Sequence, residues 1–204
     1  MLDLHRFRAV IFDFDGVIVD SESMQVRSWK QVAQTLGREC NVSVQRIAGR
    51  LDREVAVELF AGCDADWCVR EKAQTEQEME SRGELKLIHG VEPFIRSITT
   101  THRLAIASSC HCDVLDRRLK MLGLHDTFEV VIGRTDGVRH KPAPDLYLRA
   151  LESLKLNPID ACAIEDSSIG VAAARAAGLY AIQLLHPGMP RAGEADQVIE
   201  RFPS

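Results

Sequence analysis

Arg8-Ala-Val-Ile-Phe-Asp-Phe-Asp-Gly-Val-Ile-Val-Asp20 sets two carboxylates inside an otherwise apolar, strand-like run. In an extended chain, side chains two apart share a face. Asp13 and Asp15 are therefore expected on one face and Phe12 and Phe14 on the other. An ionised carboxylate is costly to desolvate unless it is paired or binds a cation. Two of them at the end of a strand point to a metal site or a reactive site. The competing reading is a β-hairpin, because Asp15-Gly16 between apolar runs is a good two-residue turn. A hairpin accounts for Gly16 and leaves Asp13 without a role.

The chain has 204 residues, enough for one sizeable core with an appended subdomain. Its 46% hydrophobic and 27% charged residues read as soluble and globular. A net charge of −5, with no block of Lys and Arg, argues against nucleic acid or an anionic membrane as partner. The first apolar run, Ala9 to Phe12, stops at Asp13 and is too short for the apolar region of a signal peptide. Cys40, Cys63, Cys68, Cys110, Cys112 and Cys162 lack paired C-x-x-C spacing and are expected to be reduced thiols of a cytoplasmic protein. Cys110-His111-Cys112 has donor types suited to zinc, but no further ligands follow at a recognisable spacing.

Short apolar runs alternate with helical patterns. Strands are expected at Ala9–Phe12, Leu104–Ala107, Glu129–Ile132, Ala161–Ile164 and Tyr180–Leu184. Helices are expected from Pro93 to Thr99, Cys112 to Leu122, Pro144 to Leu154 and Ser167 to Ala177, with Gly123 and Gly178 as stop signals. This alternation predicts an α/β fold: a Rossmann-like parallel sheet covered by helices. Residues 21–86 break the rhythm with helical patterns alone, at Met24–Leu36, Arg53–Phe60 and Ala65–Ser81. They predict an inserted all-α cap, with the catalytic core formed by residues 1–20 and 87–204. The helix from Ala65 is polar almost all round and reads as solvated.

Polar groups follow four of the strands: Asp13 and Asp15, Ser108 and Ser109, Lys141 in His140-Lys-Pro-Ala-Pro-Asp145, and Glu165 with Asp166. In an open parallel sheet these strand ends lie along one edge, where ligands bind. Taken singly, each has a plainer reading. Ser108-Ser109 is a turn or cap, Lys141 a surface loop, Asp145 helix N-terminal charge, and Glu165-Asp166-Ser167-Ser168 an N-cap cluster. Taken together, they suit phosphoryl transfer. The carboxylates are hard donors for Mg²⁺, Ser108 and Lys141 can bind phosphate, and one carboxylate is a nucleophile that needs no deprotonation at neutral pH.

In their order these residues resemble the haloacid dehalogenase superfamily, in its phosphatase and phosphomutase branch. Phe12-Asp-Phe-Asp-Gly-Val17, Ala107-Ser-Ser109, Lys141-Pro-Ala-Pro-Asp145 and Ile164-Glu-Asp-Ser-Ser-Ile-Gly170 are similar to its four motifs. The resemblance implies Asp13 as nucleophile and Asp15 as general acid/base. It implies phosphate binding by Ser108, Ser109 and Lys141, and Mg²⁺ held by Asp13, the Asp15 carbonyl and Asp166 with Glu165 assisting. It also places Arg50 or Arg53, in Gly49-Arg-Leu-Asp-Arg-Glu54, and Gln25 in the cap toward a small phosphorylated substrate. Gln25 stands where β-phosphoglucomutases carry a histidine, and Cys110-His111 replaces their Ser-Lys. The favoured expectation is therefore a phosphatase of a phosphorylated metabolite such as a sugar phosphate. A hexose-phosphate mutase is the alternative, and a phospho-accepting signalling module is the alternative of another class. The order D-x-D followed by a long helical insertion counts against the signalling module. Oligomeric state is not legible.

Overall fold

The computed structural model describes residues 2–47 and 50–203. In chain order its elements begin with β1 (Ala9–Phe12), β2 (Val19–Asp20), α1 (Glu22–Thr35), α2 (Val44–Ile47), α3 (Asp52–Leu59) and α4 (Ala65–Ser81). They continue with β3 (Lys86–Leu87), α5 (Val91–Ile98), β4 (Arg103–His111), α6 (Cys112–Met121), β5 (Val130–Arg134) and α7 (Asp145–Leu154). A 3₁₀ turn at Pro158–Asp160 precedes β6 (Ala161–Glu165), α8 (Ser168–Ala176), β7 (Tyr180–Leu184) and β8 (Gln197–Ile199). The chain divides into two compact units, Met1–Ile18 with Leu87–Ser204, and Val19–Lys86. Among the described residues no helix is long and apolar enough to cross a membrane.

The larger unit is built on a six-stranded sheet in the order β5-β4-β1-β6-β7-β8. β1 runs parallel to both β4 and β6, which excludes the hairpin reading of Asp15-Gly16. The chain goes from β1 to one side of the sheet and returns to the other, so a topological switch point lies beside β1. All four β1 side chains are buried. Ile11 joins a cluster with Ala107, Leu146, Tyr147, Ala163 and Val171 on one face. On the other face the Phe12 ring meets Phe94 at 6.3 Å and Phe128 at 6.0 Å.

Several boundaries differ from the sequence reading. β1 stops at Phe12, so the two-residue alternation does not extend through Asp15. β4 continues to His111 rather than ending at Ala107. Its pairing with β5 runs Ala107↔Ile132 and then His111↔Arg134, four steps on one strand against two on the other. This bulge carries Ser108 and Ser109 out of the regular ladder. α5 begins at Val91 after a left-handed Gly90, which puts Pro93 at its third position. The missing N–H is tolerated there because the first-turn amides have no helical acceptor. Ser167 is the N-cap of α8, its hydroxyl accepting from Gly170 N at 3.1 Å.

In the smaller unit, α1, α3 and α4 pack around Trp29, Val32, Val55, Ala56, Phe60 and Cys68. α4 is not a solvated helix. Cys68, Lys72, Glu76 and Glu80, four apart along it, are all buried. The Lys72 ammonium lies 3.0 Å from Asp52 and 2.9 Å from Glu76, and Ser28 Oγ donates to Glu76 at 3.2 Å. Burial pulls the Lys72 ammonium down, but Glu76 and Asp52 outweigh it and hold Lys72 above the ordinary lysine value. The polar stripe is therefore a buried ion pair with its own packing surface, which hydrophobic periodicity does not detect. Lys72→Met, which keeps the apolar stem and removes the charge, is expected to cost roughly 3 kcal/mol in urea unfolding. Adding Glu76→Gln should recover most of that loss, because no buried carboxylate is then left without its cation.

Candidate active site

The register of the sheet assembles the site. Phe12 is level with Ile106 on one side and Ile164 on the other, and Asp13 N donates to Ile164 O at 2.9 Å. One step further along the three strands lie Asp13, Ala107 and Glu165, followed by Ser108 and Asp166. Asp13, Ser108, Glu165 and Asp166 are all buried.

Lys141, carried to this edge by the loop between β5 and α7, ties the strands together. Its Nζ donates to Asp13 Oδ1 at 2.7 Å, Glu165 Oε1 at 2.6 Å and Ala107 O at 3.0 Å. An ammonium has three N–H groups, so protein oxygens account for all of them. Tyr147, fully buried in α7, donates its hydroxyl to the same Glu165 Oε1 at 2.6 Å. Glu165 is also confined by Gly170, where an added Cβ would sit 2.0 Å from the carboxylate. Gly16 has a comparable role toward Asp166. It adopts φ +77, and a Cβ there would lie 2.0 Å from Asp166 Oδ2. Glycine at both positions lets backbone close directly over the acidic groups.

Asp15 lies beyond the strand, with its side chain 29% exposed, and Arg118 Nη1 from α6 donates to its Oδ1 at 3.3 Å. The His186 ring nitrogen Nε2 lies 2.6 Å from Gly16 O and anchors the same loop. Gln183 Nε2 donates to Asp166 O at 3.1 Å. Ser108 Oγ accepts from Cys110 N at 3.0 Å, which orients the oxygen and leaves its proton for a ligand. Ser109 is exposed. Asp145 is the first residue of α7 and pairs with Arg139 at 2.9 Å, so it serves the helix end.

The cap residues singled out from the sequence have partners within their own unit. Arg50 Nη1 donates to Glu58 Oε2 at 2.6 Å, Arg53 Nε to Asp66 Oδ1 at 3.0 Å, and Gln25 Nε2 to Ser21 Oγ at 3.5 Å. Gly49, at the start of that loop, lies outside the described residues. His111, Cys112 and Asp113 bring donor atoms within 4.8 Å of one another, whereas Cys110 is not part of that group.

Sequence reasoning missed Arg118, Tyr147 and His186. Arg118 left a signal, since it occupies a core-facing position of α6 with Leu115 and Leu119. Tyr147 and His186 left none, because an aromatic or a histidine after a strand is ordinarily packing.

The electrostatics follow from the geometry. One ligand oxygen each from Asp13, Glu165 and Asp166 lies within 4.8 Å of the others. Lys141 sits between two of these carboxylates, Asp13 and Glu165, so one ammonium serves both. Burial, opposed by Lys141 and reinforced by Glu165 and Asp15, pushes the Asp13 carboxyl up to about 7. Burial pulls Lys141 down, but Asp13 and Glu165 outweigh it and hold it above its ordinary value. Burial and the facing Glu165 likewise raise Tyr147 well above the usual phenol, so it remains a donor. A buried set of oxygen donors with excess negative charge is chemically fitted to a hard divalent cation.

The haloacid dehalogenase-like hydrolase family matches residues 10–184, and the chain belongs to it. The phosphorylated carbohydrates phosphatase of Thermotoga maritima is 30% identical over 179 residues, covering 85% of this chain and 83% of that protein. The β-phosphoglucomutase of Bacillus subtilis is 28% identical over 210 residues, covering 95% and 89%. Among solved structures, CbbY from Rhodobacter sphaeroides in complex with phosphate superposes with a TM-score of 0.81 at 24% identity, covering 96% and 95%. That likeness establishes the fold.

Asp13 makes a pH prediction. In the unfolded chain it ionises at the ordinary 3.8, and in the cation-free folded protein at about 7. Between those values the folded state holds the extra proton, so stability must fall as pH rises from about 4 to about 7. In the presence of a chelator, urea midpoints of the wild type should decline across this window relative to Asp13→Asn. Parallel pH profiles for the two proteins would contradict the assignment.

Proposed function

We propose that this protein is a Mg²⁺-dependent phosphatase that hydrolyses a small phosphorylated metabolite, a sugar phosphate, through a phosphoryl group carried on Asp13. The observation that carries this reading is the buried trio of Asp13, Glu165 and Asp166 around a single ammonium. Asp13, Asp166 and the Asp15 carbonyl would hold the cation, with Glu165 assisting through Lys141. When bound, Mg²⁺ neutralises charge between an anionic phosphate and the carboxylates.

The residues divide the remaining work. Asp13, with Oδ1 pinned by Lys141, presents its carboxylate to phosphorus, forming a P–O bond as the ester P–O bond breaks. Asp15 gives a proton to the departing alcohol oxygen. It then takes a proton from the water that attacks phosphorus, which releases inorganic phosphate and restores Asp13. The Ser108 hydroxyl donates to a phosphate oxygen. Lys141, whose hydrogens are committed to protein oxygens, acts through its charge and its grip on Asp13. The carbohydrate phosphatase among its relatives supports the substrate class. The six cysteines stand outside disulfides, which suits a cytoplasmic enzyme.

Phosphate release from a panel of sugar phosphates with Mg²⁺ tests the reading. Asp13→Asn should lower turnover at least ~10³-fold, and exhaustive chelation should abolish it reversibly. Undiminished hydrolysis in either case refutes the mechanism. Formation of glucose 6-phosphate from β-glucose 1-phosphate faster than free phosphate would instead favour a mutase.

A further inference from the structure

α6 presents Leu115, Arg118 and Leu119 to the protein interior, the spacing that apolar side chains occupy in an amphipathic helix. Arg118 is only 4% exposed. A guanidinium withdrawn from water destabilises the fold unless a partner answers its charge. Asp15, with Oδ1 at 3.3 Å from Nη1, provides that answer. Asp15 itself sits on a loop next to the left-handed Gly16, where the backbone alone does not fix a carboxylate orientation. α6 begins directly after β4, the strand that carries Ser108. One rigid strand–helix unit thus supplies both the Ser108 hydroxyl and the group that grips Asp15.

We propose that Arg118 is a positioning residue of the reaction, holding the Asp15 carboxyl in the orientation from which it transfers a proton. The proposal rests on the assignment of Asp15 as general acid and base. In the first step the Asp13–phosphorus bond forms, the bond from phosphorus to the leaving oxygen breaks, and the Asp15 proton moves to that oxygen. In the second, water oxygen bonds to phosphorus, its proton returns to Asp15, and the Asp13–phosphorus bond breaks. Arg118 acts on these steps through its hydrogen bond to Asp15 Oδ1. A small misplacement of an acid is enough to slow proton transfer, because its effect depends on hydrogen-bond reach to the departing atom.

A purely structural ion pair and a positioning role differ in their dependence on the leaving group. 4-Nitrophenolate departs readily without a proton, whereas the more basic phenolate needs one. kcat/KM, which reports the first phosphoryl transfer, is measured for phenyl phosphate and 4-nitrophenyl phosphate. Arg118→Met should lower it about tenfold to a hundredfold for phenyl phosphate and less than about threefold for 4-nitrophenyl phosphate. Arg118→Lys, which keeps the buried charge without the planar fork, should fall between Arg118→Met and wild type. It decides the matter by the same ratio if Arg118→Met does not fold. Asp15→Asn serves as the reference and should show the same discrimination more strongly. If Asp15→Asn discriminates while folded Arg118 variants lose both substrates equally or lose neither, the positioning role is overturned and Asp15 keeps its assignment. If Asp15→Asn does not discriminate, the acid/base assignment falls and the proposal with it.

Discussion

A single buried ammonium stands among three carboxylates at the edge of the central sheet. This charge imbalance is the constraint on which the rest of the site depends. Lys141 bridges Asp13 and Glu165 and can neutralise one of them, while Asp166 adds a further negative group alongside. Burial above all, joined by Glu165 and Asp15 and opposed by Lys141, raises the Asp13 carboxyl, so without a cation Asp13 tends to keep a proton. A bound divalent cation would remove the need for the proton and leave Asp13 ionised. In the proposed mechanism the nucleophile is thus prepared by the same charge balance that would retain the metal.

The fold's contribution is to make that imbalance possible. Three parallel strands in register bring Asp13, Ala107 and Glu165 to one level, so acidic groups far apart in sequence become neighbours through backbone pairing alone. Glycines at 16 and 170 let the loop after β1 and the first turn of α8 close over the carboxylates without a side chain intervening. Tyr147, Gln183 and His186 then fix, respectively, a carboxylate oxygen, a backbone carbonyl and the loop around Asp15. Electrostatic catalysis depends on such fixed dipoles, because groups already oriented need no reorganisation when charge develops.

Much of this was legible in the residues because the relevant signals are local. β1 is an apolar run that Asp13 ends, and both it and β7 are found at the expected residues. The four polar groups could be placed at one edge because a parallel sheet aligns its strand ends. Other features were hidden for definite reasons. The bulge in β4 depends on the pairing partner β5, and no property of Ser108 or Ser109 announces it. α4 looks solvated because its buried stripe is made of charges that satisfy one another rather than of apolar side chains. The contact between His186 and Gly16 spans 170 positions, and only the folded sheet brings the two together. Arg118 was readable in principle, as a charge in a slot that the helical period reserves for apolar residues.

The most direct measurement is to quench a reaction with a sugar phosphate that the enzyme turns over, in acid within the first turnover, and locate the phosphoryl group by peptide mass spectrometry. It should appear transiently on the peptide containing Asp13, be removed by hydroxylamine as an acyl phosphate must be, and be absent from Asp13→Asn. A phosphoryl group on any other residue, or turnover with no phosphorylated enzyme at any quench time, would contradict Asp13 as the nucleophile.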